Sequence, residues 1–332
     1  MIMTNLNELQ TIVQSKKRFI DGYSKIILSF KPIQACLLHQ CLDEFKDLSL
    51  KEISTLIQPR SSNSKIITLN TEDIRIPGAK IVYDLLYVVR HPLYPSKFML
   101  IHIEAQGEES YKYALPCRSL YYAYRLIAGQ KNHSLGFQKS FYNDILDVRS
   151  FWICLHHAKK KDNCLLEYVT HENQKMGNFC FDPKFHGMSK THLLYPSLHS
   201  KEEQTLEEIL NGPKSIMELL SILFLSDRDY DQIIQILERK NDILLSDEDK
   251  EEIKDMCTFG QGAYLAWTEH GMKQGRKQGR IEGRKSGELD TLVQNISLLL
   301  ESGTISDIQQ AFSILRVQKE MQSKVLKRLD LH

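Results

Sequence analysis

The amino-acid sequence predicts an α/β fold that passes into an all-helical C-terminal region, and three observations carry that expectation. Two short runs rich in β-branched and aromatic residues, Ile81 to Val89 and Phe98 to Gln106, flank a connector containing Pro92 and Pro95, which is the pattern of an antiparallel hairpin. An amphipathic stretch from Tyr113 to Ala128 is followed by a further apolar run, Phe151 to Leu155, giving a helix and then a buried strand. From Glu202 onward the pattern is one of successive helices.

Taken in order, residues 1–20 carry Leu6, Leu9, Ile12 and Val13 spaced for one helical face, ahead of Lys16-Lys17-Arg18. Ile33 to Phe45 is a stronger helix, because Cys36, Leu37, Leu38, Cys41, Leu42 and Phe45 form a stripe with a period near 3.6. Pro32 lies near its start, where a missing N–H costs nothing. Ser49 and Glu52 have capping-box spacing for a short helix through Ile57. Pro59 to Ser64 reads as a loop, Ile66 to Leu69 as a short strand and Asn70 to Gly78 as a turn-rich link.

Each strand of the hairpin carries a carboxylate where an apolar residue is expected: Asp84 in one and Glu104 in the other. Centring the turn on Tyr94 sets Asp84 opposite Glu104. Alternation along the strand then puts His102, Glu104 and Gln106 on one face and Ile101, Ile103 and Ala105 on the other. Facing carboxylates repel and destabilise a strand pair, and a divalent cation between them reverses the sign of that effect. Oxygen ligands that include one or two carboxylates suit Mg²⁺. The same residues also fit exposed strand charges, or ion pairs with Arg90 and Lys97. Glu72 is a third acidic candidate, or else a solvated residue of the link before the hairpin.

Gly107 to Ser110 leads out of the sheet into the Tyr113–Ala128 helix, expected to face the sheet with Leu115, Leu120, Tyr122 and Leu126. Arg118 and Arg125 lie nearly two turns apart and so on one face, with Lys131 just beyond and Tyr121, Tyr122 and Tyr124 interleaved. Arginines so placed beside a metal site suit phosphates held by charge-assisted bonds; they equally suit the solvated side of an amphipathic helix. Ser150 to His156 and Leu165 to Thr170 read as strands, joined by the basic turn His156 to Asp162. Adjacent histidines on a strand point to opposite faces, which makes His156 and His157 a poor zinc pair. Residues 171–200 show no period and read as a long irregular connection.

Leu206 to Leu210, Ser215 to Phe224, Asp229 to Leu237 and Ser246 to Cys257 follow as helices, the last with acids at its dipole-positive start. Gly271 to Gly287 is an internal repeat with glycine at every fourth position and Lys273, Arg276, Lys277, Arg280, Arg284 and Lys285 against Glu282. Each such glycine weakens a helix by about 1 kcal/mol relative to alanine. The repeat is therefore a soluble basic linker, or a helix held by close packing on a partner; its charge favours phosphates. Leu289 to Leu300 and Ile305 to Leu329 read as amphipathic helices that cap the protein or join copies into a homo-oligomer.

A chain of 332 residues suggests about two domains and ample core. The net charge of +1 gives no bulk signal for nucleic acid, so any basic surface must be local. Seven scattered cysteines, an odd number without a Cys-x-x-Cys pair, indicate neither a disulfide framework nor a cysteine-rich zinc site. Without a run of about eighteen apolar residues or a signal-peptide core, the expectation is a soluble cytoplasmic protein with no membrane partner.

Asn70-Thr71-Glu72-Asp73, Tyr83-Asp84-Leu85-Leu86-Tyr87-Val88-Val89-Arg90 and Ile101-His102-Ile103-Glu104-Ala105-Gln106 closely resemble the bacterial PD-(D/E)XK nuclease-like transposase family, also called recombination-promoting nucleases, Rpn. The resemblance continues through Arg118 to Gln130, Phe141 to Ile145 and Val148 to Cys154, and ends in the Gly-punctuated stretch, covering roughly residues 15 to 287. Its blocks are weak singly and specific in their order and spacing.

The resemblance implies a restriction-endonuclease-like PD-(D/E)XK core over residues 1–200, a central mixed sheet flanked by helices. A helical domain follows at 201–270, the basic linker at 271–288 and the C-terminal helices at 289–332. It further implies a DNA endonuclease that hydrolyses phosphodiester bonds with Mg²⁺, or Mn²⁺ in its place. Asp84, Glu104 and Gln106 are then catalytic, and Asp84, Glu104 and the Ala105 carbonyl hold the metal. Arg118, Arg125, Gln130 and Lys131 contact phosphate or DNA. Gln106 stands where the wider superfamily has lysine; a glutamine can orient a water but cannot lower its pKa by charge. The resembled family itself uses glutamine there. The alternatives are a catalytically inactive relative that binds DNA or protein, and a helical interaction protein whose tail drives assembly.

Overall fold

The computed structural model describes residues 22–255 and 283–329, apart from 60, 62, 70, 76–79, 107–112, 134–135, 183–185, 198–203, 227, 285, 304 and 306. Three helices open the described chain: α1 (residues 22–29), α2 (Lys31–Cys41) and α3 (Leu50–Leu56). Pro32 sits in the first turn of α2. The Ser49 side chain accepts from the Glu52 N–H while the Ser49 N–H donates to Glu52 Oε2, closing the expected capping box on α3. The expectation for residues 1–20 falls outside the described residues.

Two short strands, β1 (Glu72–Asp73) and β2 (Ile81–Val82), pair antiparallel. Strands β3 (Leu85–Arg90), β4 (Phe98–Gln106), β5 (Asp147–Cys154), β6 (Cys164–Val169) and β7 (Ser189–Tyr195) form a five-stranded mixed sheet in the order β3-β4-β5-β7-β6. The outer pairs are antiparallel, and β4, β5 and β7 run parallel. A parallel step needs a crossover, and helix α4 (Leu115–Ala128) lies in the connection from β4 to β5. The α/β architecture with a mixed central sheet is thus present.

Both faces of the sheet are covered, which is why β5 is buried along its whole length. Leu85, Tyr87, Ile101, Ile103, Phe151 and Leu194 pack on one side with α2, α3 and the later helices α5 (Leu206–Asn211), α6 (Ile216–Leu225) and α7 (Tyr230–Gln235), so sheet and helices share one core. On the other side α4 sets Leu115, Ala123 and Leu126 over Leu100, Val148, Trp152 and Leu193. An eighth helix, α8, covers residues 247–255.

Three expectations are corrected. Ile66 to Leu69 is not a regular strand; its links are single bonds such as Ile66 N–H to the Ser29 carbonyl and Leu69 N–H to the Leu86 carbonyl. The Ile81 to Val89 run breaks at Tyr83-Asp84, because its first two residues pair with β1 and the rest with β4. The stretch 171–200 contains β7, an inner strand of the sheet.

The chain divides into compact units Met1–Gln261 and Gly262–His332. In the second, α9 (residues 286–301), α10 (Ile308–Ile314) and α11 (Lys319–Arg328) enclose Ile296, Ile305, Ala311, Phe312 and Val325. The single helix read from Ile305 to Leu329 is thus two, with Arg316 between them at φ 49°. The basic repeat at 271–287 lies almost wholly outside the described residues. Among the described residues no helix is long and apolar enough to cross a membrane.

Candidate active site

The β3–β4 register pairs Leu85 with Ile103. Carried one residue further it sets Asp84 against Glu104, the relation that a turn centred on Tyr94 requires. Asp84 lies just outside β3, where the ladder ends, and side-chain bonds replace the ladder there. Its backbone N–H donates to Glu104 Oε2 (3.2 Å), and its Oδ2 accepts from the Ala105 N–H (3.1 Å). The remaining oxygens face cations from two helices. Lys25 Nζ of α1 lies 3.0 Å from Asp84 Oδ1, and Arg118 Nη2 of α4 lies 3.4 Å from Glu104 Oε1. Each carboxylate therefore has one oxygen held by a backbone N–H across the hairpin and one turned to a side-chain cation.

Glu104 is buried and the Asp84 side chain is 15% exposed. Burial, and next the charge of Glu104, push the Asp84 carboxyl up to about 6, against the opposing pull of Lys25 and the Ala105 N–H. Gln106 Oε1 accepts from Arg118 Nη1 (3.1 Å). The guanidinium of Arg118 also donates to the hydroxyls of Tyr113 (3.1 Å) and Tyr122 (3.0 Å), and it lies over the rings of Tyr122 and Trp152 at 5.0 and 5.2 Å. Arg118 is thus a braced cation at the edge of the carboxylate pair.

The other residues singled out in the sequence are placed differently. Arg125 is buried, with Nε 3.0 Å from Asp73 Oδ2 and Nη2 2.8 Å from Asp73 Oδ1. Arg75 joins the same carboxylate, Tyr83 donates its hydroxyl to it at 3.4 Å, and Gly129 leaves the room that the Arg75 guanidinium fills. Burial alone would raise the Asp73 carboxyl, but Arg75 and Arg125 outweigh it and hold it well below the usual carboxylate range. Arg125 is committed to joining α4 to β1. The Gln130 amide is buried and clamps Leu146, donating to its carbonyl (3.0 Å) and accepting from its N–H (2.7 Å), which sets the entry to β5. Lys131 is exposed. Glu72 is half exposed and pairs with Lys80 at 2.7 Å, while its neighbour Asp73 points inward.

Lys25, Asp73 and the buried His102 and Ser150 were not singled out in the sequence. For Asp73 a signal was present: two adjacent acids on a strand must face opposite ways, so one of Glu72 and Asp73 had to turn inward. Lys25 carries no such mark.

The donor set fits a hard divalent cation. Gln106 passes its carbonyl to the Leu155 N–H on the β5 side; by alternation the Ala105 carbonyl points the other way, the side on which its N–H meets Asp84. Two carboxylates and a carbonyl make an all-oxygen set with few ligands, as Mg²⁺ prefers. Burial first and then repulsion from Glu104 raise Asp84, and such an ion would relieve the repulsion. Among the described residues no group of three or more His, Cys, Asp or Glu side chains gathers into a metal cluster. Compared with protein-family models, curated proteins and solved structures, the chain matches none of them.

Proposed function

We propose that the chain is a Mg²⁺-dependent DNA endonuclease of the recombination-promoting, transposase-like nuclease type, hydrolysing phosphodiester bonds at Asp84 and Glu104, with Mn²⁺ able to replace Mg²⁺. The observation that carries this reading is the opposed pair itself: each carboxylate is anchored to the other strand through one oxygen and turns the second to a side-chain cation. The ion, held by Asp84, Glu104 and the Ala105 carbonyl, would supply acidification of water and charge compensation at the phosphate. The pair sits at the carboxyl end of β4, next to the parallel strand β5, the end at which α/β sheets take their ligands. Lys25 and Arg118 are within reach of a phosphate brought to the carboxylates and can hold its oxygens by charge-assisted bonds. Gln106, whose carbonyl oxygen takes Arg118, brings amide hydrogens that orient water or phosphate without adding charge.

Incubation of purified protein with supercoiled plasmid and Mg²⁺, beside Asp84→Ala, tests the reading. Cleavage by the wild type, reduced at least about a hundredfold in the variant, is expected for loss of a ligand to a catalytic metal. Equal cleavage by both would overturn it.

The ion pairs of Lys25 with Asp84 and of Arg118 with Glu104 favour a second reading, because they balance both carboxylates without a metal. The chain would then be an inactive nuclease-like protein that binds DNA or a protein. Metal-independent DNA binding with no cleavage in Mg²⁺ or Mn²⁺ would favour it.

A further inference from the structure

We infer that His102, Ser150 and Trp152 form a buried relay that fixes which oxygen of Glu104 faces the site, so that His102 is a positioning residue. The inference rests on the reading of Glu104 as a metal ligand, and it concerns how that ligand is presented.

All three side chains are fully buried beneath α4. His102 Nε2 lies 3.3 Å from Glu104 Oε2, His102 Nδ1 lies 2.8 Å from Ser150 Oγ, and Trp152 Nε1 lies 3.0 Å from the same oxygen. Valence assigns the hydrogens. A carboxylate only accepts, so Nε2 carries the hydrogen that faces Glu104. An indole only donates, so Ser150 Oγ accepts from Trp152, and its own hydrogen is available to His102 Nδ1. The relay follows from strand register, since β4 and β5 pair His102 with Ser150 and Glu104 with Trp152. Aromatic neighbours hold the imidazole, with ring centroids at 5.0 Å for Tyr83, 5.8 Å for Trp152 and 6.2 Å for Tyr122.

Glu104 Oε2 thereby receives two donors, His102 Nε2–H and the Asp84 N–H, while Oε1 is turned to Arg118. A carboxylate free to rotate offers a cation either oxygen or both. This one offers Oε1. Single-oxygen presentation suits the small, octahedral Mg²⁺ and disfavours Ca²⁺, which readily takes carboxylates through both oxygens. The relay is thus a selectivity device as well as a brace.

The test compares His102→Gln, whose amide reaches the Nε2 position, with His102→Asn, which reaches Ser150 but falls short of Glu104. Mn²⁺, Mg²⁺ and Ca²⁺ affinities are measured by calorimetry on the full chain, with circular dichroism and melting temperature as folding controls and plasmid cleavage alongside. His102→Asn should weaken Mn²⁺ binding by about 10–100-fold, the range for losing a group that orients a metal ligand, and should narrow the preference for Mg²⁺ over Ca²⁺. His102→Gln should restore most of both. A purely structural histidine would show no difference between the two variants in metal preference. If His102→Asn does not fold, Ser150→Ala decides, with the same direction expected. Unchanged affinity and preference in the folded variants would overturn the relay while leaving the metal site standing. A wild type that binds no Mn²⁺ would overturn the reading of Glu104 and the relay with it.

Discussion

Asp84 and Glu104 exchange bonds across the end of the hairpin: the Asp84 N–H donates to Glu104 at 3.2 Å, and the N–H of Ala105, beside Glu104, donates to Asp84 at 3.1 Å. Two like charges are therefore held together where the ladder stops, and the repulsion is carried by the fold. A cation that binds this arrangement and not the unfolded chain must stabilise the protein, by about 2.7 kcal/mol at a hundredfold excess over its Kd. Mg²⁺ or Mn²⁺ should raise the melting temperature at low ionic strength, and Asp84→Ala should lose most of that shift. An equal shift in both proteins would place the ion elsewhere.

Arg118 and Arg125 share a helix face and should answer differently to substitution. Arg125 and Asp73 are both buried, so Arg125→Ala breaks a buried ion pair, leaves Asp73 to the half-exposed Arg75, and should cost about 3 kcal/mol in denaturant unfolding. Arg118 is braced by Tyr113 and Tyr122 at the site's edge, and its side chain is 26% exposed. Arg118→Ala should change stability by about 1 kcal/mol or less, as for partly exposed pairs. It should weaken DNA binding and lower its salt dependence by about one ion.

The contrast shows what the sequence can and cannot carry. The hairpin register was legible because both of its determinants are local: a proline-bearing connector that fixes the turn, and side-chain alternation along each strand. Strand β7 was not legible, because Ser189, Lys190, Thr191 and His192 look like loop residues, and the partners that let Lys190 be partly buried and His192 fully buried lie far away in the sequence. Lys190 meets Glu44 at 2.9 Å and His192 meets Glu167 at 3.1 Å. The same holds for Arg125: its spacing from Arg118 and the inward turn of one of Glu72 and Asp73 were readable, but the pairing of Arg125 with Asp73 across 52 residues was not. Lys25 looks like any exposed helical lysine until α1 is packed beside the hairpin.

Glu44 anchors a second buried charge group, at the opposite end of β5 from the carboxylate pair. Arg149 Nη2 lies 2.8 Å from one of its oxygens and Lys190 Nζ 2.9 Å from the other, and Asp147 Oδ2 lies 3.7 Å from the same Arg149 Nη2. Burial would raise the Glu44 carboxyl, but Arg149 and Lys190 together hold it at about 2, below its ordinary 4.5. A lowered folded-state pKa contributes stability above about pH 4.5 that is lost as pH falls toward about 2. Glu44→Gln should therefore cost about 3 kcal/mol near neutral pH, as breaking a buried pair does. Its deficit against the wild type should close across that acid window. A deficit that stays constant in pH titration of unfolding would show that the carboxylate charge is not what holds Arg149.

Lys25 gives the last prediction, because it occupies the oxygen of Asp84 that a metal would need. Its Nζ lies 3.0 Å from Oδ1, while Oδ2 is held by the Ala105 N–H. An ion binding there must displace the lysine, so removing the ammonium should tighten metal binding. The Lys25 side chain is 39% exposed. Solvent-screened pairs are worth at most about 1 kcal/mol, which limits the gain for Lys25→Met to about fivefold in Mn²⁺ affinity. The same substitution lets Asp84 hold its proton more tightly, an opposing effect that fades once the pH is well above the carboxyl's value of about 6. Calorimetry at pH 8 therefore isolates the competition. If Lys25 turns to the phosphate once displaced, Lys25→Met should also weaken DNA binding in Ca²⁺ and lower its salt dependence by about one ion. Unchanged or weaker Mn²⁺ binding at pH 8 would mean that the lysine and the ion do not compete for Asp84.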